Sequence, residues 1–129
     1  MQIKVLVIDD RAGMAGILAE ALTRSGRCIS LCATHGQQGL EILKTNPFDV
    51  VVMRRHCVLS TSMSTPEFNR LANQAHPGLF FLLIVEEDVP CLLPFFPSGR
   101  VDAYLSEPFS STDLEQTIQY LMKFQQSWP

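Results

Sequence analysis

The residues able to do chemistry in this chain stand directly after its apolar runs. Asp9 and Asp10 close the run Ile3–Ile8, Arg54 closes a run beginning at Val50, Glu86 and Glu87 follow Phe80–Val85, and Glu107 stands just after Ala103–Leu105 and before Pro108. Paired carboxylates are oxygen ligands for hard divalent cations, and a carboxylate is also a nucleophile. A guanidinium is neither: it carries a fixed positive charge and five donors with no acceptor. Four clusters of charge at four run ends suggest one shared site.

The remaining reactive side chains form no recognisable constellation. Cys28, Cys32, Cys57 and Cys91 include no CxxC pair, and His35, His56 and His76 include no HxxxH pair, so no metal site is expected and the cysteines read as ordinary reduced thiols. Cys28 and Cys32 lie four apart in an expected strand and so share a face. His56 stands close to Arg54, but nothing near it in sequence would assist chemistry at its ring. There is no GxGxxG, no Walker A loop, no GxSxG and no Ser-His-Asp spacing, and no enzymatic activity is expected.

The elements that position these residues alternate regularly. Strands are expected at 3–8, 28–33, 50–54, 80–85 and 103–105, each short and rich in β-branched or aromatic residues. Helices are expected at 12–25, 36–44, about 66–75 and 111–126. Gly26 is suited to a left-handed cap after the first, and Asn46-Pro47 stops the second. Thr65 is a candidate N-cap for the third, ahead of Pro66 in its first turn. Ser111 and Thr112 are the expected caps of the last, whose apolar stripe is Leu114, Ile118, Leu121 and Met122. Asp9 and Asp10 are, in the plainest reading, caps of the first helix. The segment 88–99 carries Pro90, Pro94 and Pro97, which argues against a regular helix there. Strands that are apolar on both faces, separated by helices, predict a doubly wound parallel sheet covered on both sides. In such a sheet the site lies beyond the carboxyl ends of the strands.

Composition bounds the class. The chain has 129 residues, of which 47% are hydrophobic, enough for one continuous core and a single domain spanning 1–129. The net charge of -3 gives no general reason to bind nucleic acid or an anionic membrane. No apolar run approaches the ~20 residues that cross a bilayer, and the start lacks the pattern of a secretory signal, so a cytoplasmic protein is expected.

Three segments carry a resemblance to a known family. VLVIDD at 5–10, FDVVVM at 48–53 and GRVDAYLSEPF at 99–109 resemble the first strand, the third strand and the G-A-x-x-Y-L-x-K-P-F signature of the CheY-like receiver domain of two-component response regulators. The resemblance covers nearly the whole chain. It implies a five-stranded, flavodoxin-like three-layer α/β/α fold of phosphorelay ancestry. In that family the acidic pair helps bind Mg²⁺, an aspartate at the end of the third strand accepts the phosphoryl group, and a Thr or Ser and a Lys contact it.

Carried over position by position, the acidic pair remains as Asp9 and Asp10. The phosphoacceptor position holds Arg54, the Thr/Ser position holds Glu86 with one residue of slack toward Glu87, and the Lys position holds Glu107. Tyr104 matches the aromatic that reports the phosphorylated state, but a switch needs a Thr or Ser partner that is missing here. Loss of the acceptor carboxylate implies a degenerate pseudo-receiver without aspartyl phosphorylation and without Mg²⁺ binding. Since the signs at positions 54 and 107 are swapped, Arg54 is expected in the metal's place, paired with Asp10, Glu107 or both, and with Glu86 as a further partner.

The expected function is therefore a phosphorylation-independent signalling domain that binds a protein partner or dimerises through 89–105 and the last helix. Leu92, Leu93, Phe95 and Phe96 are its candidate interface if they are exposed, and part of the core if they are not. The alternatives are a receiver phosphorylated at a non-standard residue, and an unrelated small-molecule binder or enzyme on the same fold.

Overall fold

A computed structural model describes residues 2–54, 64–86 and 100–126. Within them the chain runs β1 (Ile3–Ile8), α1 (Met14–Arg24), β2 (Cys28–Ala33), α2 (Gly36–Thr45), β3 (Val50–Arg54), α3 (Thr65–Ala75), β4 (Phe80–Val85), β5 (Ala103–Ser106) and α4 (Ser111–Gln126). All strand pairs are parallel and the sheet order is β2-β1-β3-β4-β5. The order reverses between β1 and β3, and a crevice opens at such a switch point.

Side-chain alternation along the strands feeds two cores, one on each face. Leu6, Ile8, Val51, Met53, Phe81 and Leu83 pack under α2 and α3 against Leu43, Phe68 and Ala72. Val5, Val7, Val50, Val52, Leu82 and Ile84 pack under α1 and α4 against Leu18, Leu22, Leu114, Ile118 and Leu121. This is the three-layer arrangement expected from strands apolar on both faces. At one point the layers touch so closely that any side chain larger than glycine would make a neighbour shift. A Cβ on Gly39 of α2 would stand 2.6 Å from Ile8 Cδ1 and 3.2 Å from Phe68 Cε2.

α2 and α4 start at Gly36 and Ser111 as expected, but α1 starts at Met14 rather than Ala12, and the caps differ from the sequence expectation. Neither Asp9 nor Asp10 caps α1; its N-cap is Gly13, in the left-handed region at φ 74°. Ser64, not Thr65, caps α3 by accepting from Glu67 N at 3.2 Å. Thr65 is buried and its hydroxyl is spent elsewhere, donating to the Arg54 carbonyl at 3.0 Å. Ser110 rather than Ser111 or Thr112 caps α4, in a reciprocal box with Asp113 (3.0 and 3.1 Å). His35 caps α2, its Nδ1 accepting from Gln38 N at 3.2 Å.

At the other end of the sheet, Arg100 and Asp102 anchor the entry to β5. The Arg100 guanidinium donates to the carbonyls of Pro77 and Leu79, pairs with Asp102 at 2.9 Å and lies over the Phe80 ring. Asp102 also accepts from Phe81 N at 2.8 Å. No helix of the described residues is long and apolar enough to cross a membrane.

Candidate functional site

The strand registers bring the charged residues into one layer. Ile8 pairs with Met53, Arg54 with Ile84, and Val85 with Ser106, so Asp9, Asp10, Arg54, Glu86 and Glu107 all emerge at the carboxyl edge of the sheet. β1, β3 and β4 each run through buried apolar residues before their first polar side chain, and with the partly exposed β5 they deliver those side chains to the same edge.

Arg54 stands in the middle. Its side chain is 15% exposed, and its guanidinium lies 3.8 Å from Asp10 Oδ1, 3.6 Å from Glu86 Oε1 and 3.8 Å from Glu107 Oε1. Asp10 is 2% exposed at its side chain, so this is a buried carboxylate facing a fixed cation. Glu86 is the residue at the site; Glu87 lies outside the described residues.

A second arginine, which the sequence reading missed, ties the cluster together. Arg11 grips Asp9 with two bonds, Nε to Oδ1 at 3.1 Å and NH2 to Oδ2 at 2.7 Å, and its backbone N–H donates to the same carboxylate at 2.9 Å. It also reaches Glu107 Oε2 at 2.6 Å. The hydrogen bond to Asp9 raises the Arg11 pKa above the ordinary arginine range, against a smaller opposing effect of burial. Its only signal in sequence is a basic residue directly after two acids. A loop has no periodicity from which the direction of that side chain can be read.

These contacts do not fit the Mg²⁺ that the family resemblance implies. Both oxygens of Asp9 are engaged by Arg11, and the carboxylate of Asp10 faces Arg54. At roughly 4 Å and an effective dielectric of ~20, each unit-charge repulsion between a guanidinium and an ion costs about 4 kcal/mol, and Mg²⁺ carries two charges. Among the described residues no group of three His, Cys, Asp or Glu side chains is arranged to hold a metal.

Tyr104 is 38% exposed on β5, and burial of its remainder raises the phenol pKa. Tyr120 on α4 is also exposed. Leu92, Leu93, Phe95 and Phe96 lie outside the described residues, as do His56, Cys57 and Cys91. Of the two described cysteines, Cys28 is buried, which pushes its thiol pKa up, and Cys32 is exposed.

The architecture has close counterparts. Over 96% of its length the chain superposes on 99% of a Francisella response regulator receiver domain, with a TM-score of 0.80 at 22% identity. Over 99% of its length it superposes on all of the signal receiver domain of an HD domain-containing protein from Pseudomonas fluorescens Pf-5, with a TM-score of 0.82 at 20% identity. The chain has the receiver fold. The chemotaxis response regulator CheY4 of Vibrio cholerae is similar too, at a TM-score of 0.80 and 20% identity over 93% of this chain and 98% of that one. No protein-family model and no curated protein sequence matches. At these identities the receiver likeness is one of fold, and the side chains at the strand ends must speak for themselves.

Proposed function

We propose that this chain is a receiver-fold signalling domain that works without aspartyl phosphorylation, by binding a protein partner. The observation that carries the reading is Arg54, at the end of β3 and within 3.8 Å of three carboxylates. A phosphoryl group needs a nucleophile and a cation to screen its oxygens. At this position the chain offers a guanidinium, and around it carboxylates that repel phosphate. The cluster instead forms a permanent set of ion pairs and hydrogen bonds that holds the strand ends in one arrangement. In this reading the domain is not an enzyme and takes no Mg²⁺. Its partner surface is the β5–α4 side, where Tyr104 and Tyr120 are exposed.

Intact mass after incubation with acetyl phosphate and Mg²⁺ tests this. The expected result is no change in mass for the natural chain. The variant combining Arg11→Ala, Arg54→Asp, Glu86→Thr and Glu107→Lys is expected to gain one phosphoryl group. Stable phosphorylation of the natural chain would favour the reading as a receiver with a non-standard acceptor.

A further inference from the structure

β2 is an outermost strand of the sheet, and among the described residues nothing pairs with its far side. The hydrogen bonds at its two ends fix which way its backbone points. Ile3 N–H donates to the Arg27 carbonyl at 2.9 Å, and Asp9 N–H donates to the Ala33 carbonyl at 3.1 Å. Backbone groups alternate in direction along a strand, so Ile29 and Leu31 also turn theirs toward β1, and Cys28, Ser30 and Cys32 turn theirs outward. Those residues present a row of N–H and C=O groups on the open edge.

Edge strands are ordinarily blunted by a lysine, a proline, a bulge or a covering segment. β2 reads CISLCA and carries no charge, proline or glycine. Ile29 and Leu31 share one face of the strand and are 46% and 44% exposed. Farther along that face Ala33 is buried in the core under α2 and α3, so the helices leave the middle of the strand open. The Ser30 hydroxyl oxygen is buried and has no hydrogen-bond partner among the described residues.

We infer that β2 pairs with β2 of a second copy of this chain, antiparallel and about a two-fold axis through Ser30. The outward-facing residues are symmetric about Ser30, so the edge is complementary to itself. Ser30 then stands opposite its own counterpart, and Ile29 stands opposite Leu31 of the second copy as a closely spaced apolar pair. A turn about χ1 lets the two Ser30 hydroxyls bond each other. Charge selects this arrangement. The strand has no charge for a foreign partner to match, and Arg27 stands just before it. An antiparallel pair sets the two copies of Arg27 at opposite ends, roughly 20 Å apart and beyond the screening length at physiological salt, whereas a parallel pair would set them side by side. The dimer goes beyond the binding-module reading, whose surface lies at the β5 edge, across the sheet. An edge this short buries less than the roughly 1,600 Å² of a standard interface, so the dimer is expected to dissociate in the micromolar range.

Sedimentation equilibrium of the natural chain under reducing conditions, from about 1 to about 500 µM, tests the dimer. The expected result is a monomer–dimer equilibrium that goes no further, because the two-fold axis closes the edge. Leu31→Lys is expected to weaken it roughly tenfold or more, by setting an ammonium against Ile29 of the second copy, with the melting midpoint little changed because the position is already exposed. Disulfide formation reads the register, in a background where Cys32, Cys57 and Cys91 are serine. A mixture of Ile29→Cys and Leu31→Cys chains is expected to cross-link faster than either variant alone, since positions 29 and 31 face each other across the axis.

A chain that stays monomeric throughout, a dimer that Leu31→Lys leaves intact, assemblies larger than a dimer, or a mixture no faster than its components overturns the proposal. A dimer kept in Leu31→Lys but lost in Tyr120→Glu also overturns it, and assigns self-association to the β5–α4 side. Phosphoryl uptake is read separately by mass, so this dimer and the phosphorylation-independent reading fail independently.

Discussion

Arg54 is surrounded by carboxylates at distances where its charge matters more than any single hydrogen bond. Removing it leaves Asp10, at 2% exposure, facing two other acids with its central cation gone. Breaking a buried pair costs about 3–5 kcal/mol, and Arg54→Ala belongs at the low end because Glu86 and Glu107 keep access to water. In the proposed reading the natural chain takes no Mg²⁺, and adding Arg11→Ala to this variant, which also frees Asp9, should let it do so. With both guanidiniums gone, Mg²⁺ at ten times its dissociation constant would stabilise the folded state by about 1.4 kcal/mol. Urea unfolding with and without Mg²⁺ checks both expectations. An unchanged midpoint for Arg54→Ala would show that the cluster is not held by its arginine.

Elements were legible where their signals are local. The limits of β2, β3 and β4 follow from compact apolar runs, and Gly26, at φ 80° just after α1, follows from its place behind Ser25. Helix caps were not, because neighbouring Ser and Thr residues can each cap and tertiary contacts choose between them. Thr65 is taken by the Arg54 carbonyl, which leaves the cap to Ser64. The meeting of Arg54, Glu86 and Glu107 was readable because strands in a parallel sheet end together; the grip of Arg11 on Asp9 was not, since it depends on a loop conformation.

Two further expectations belong to elements. Gly39→Ala forces a methyl group toward Ile8 Cδ1 and Phe68 and should cost about 1–3 kcal/mol, measurable in urea. Asp102, at the entry to β5, has its pKa raised by burial, only partly opposed by Phe81 N–H and Arg100. The folded chain thus holds that proton more tightly than the unfolded one. Its stabilising contribution is complete below the ordinary carboxyl range and is lost as pH rises through the folded pKa, from about pH 4 upward. Asp102→Asn should flatten that decline; a slope identical to the natural chain's would exclude the assignment.

At the scale of the whole molecule, the two cores are joined through one sheet, so access to a core residue requires the sheet to open. Cys28 packs in the core under α1 and α4, and burial raises its thiol pKa. In a variant where Cys32, Cys57 and Cys91 are serine, thiol labelling of Cys28 should follow global unfolding and accelerate with urea in parallel with it. Fast labelling in native buffer would mean that β2 opens on its own. One feature bears on how such a domain is governed. In the proposed reading, the charge at the end of β3 is written into the gene rather than added by a kinase, so no phosphatase can erase it. The output of the domain then has no on-and-off cycle of its own, and the cell adjusts it through how fast the polypeptide is made, destroyed or outcompeted.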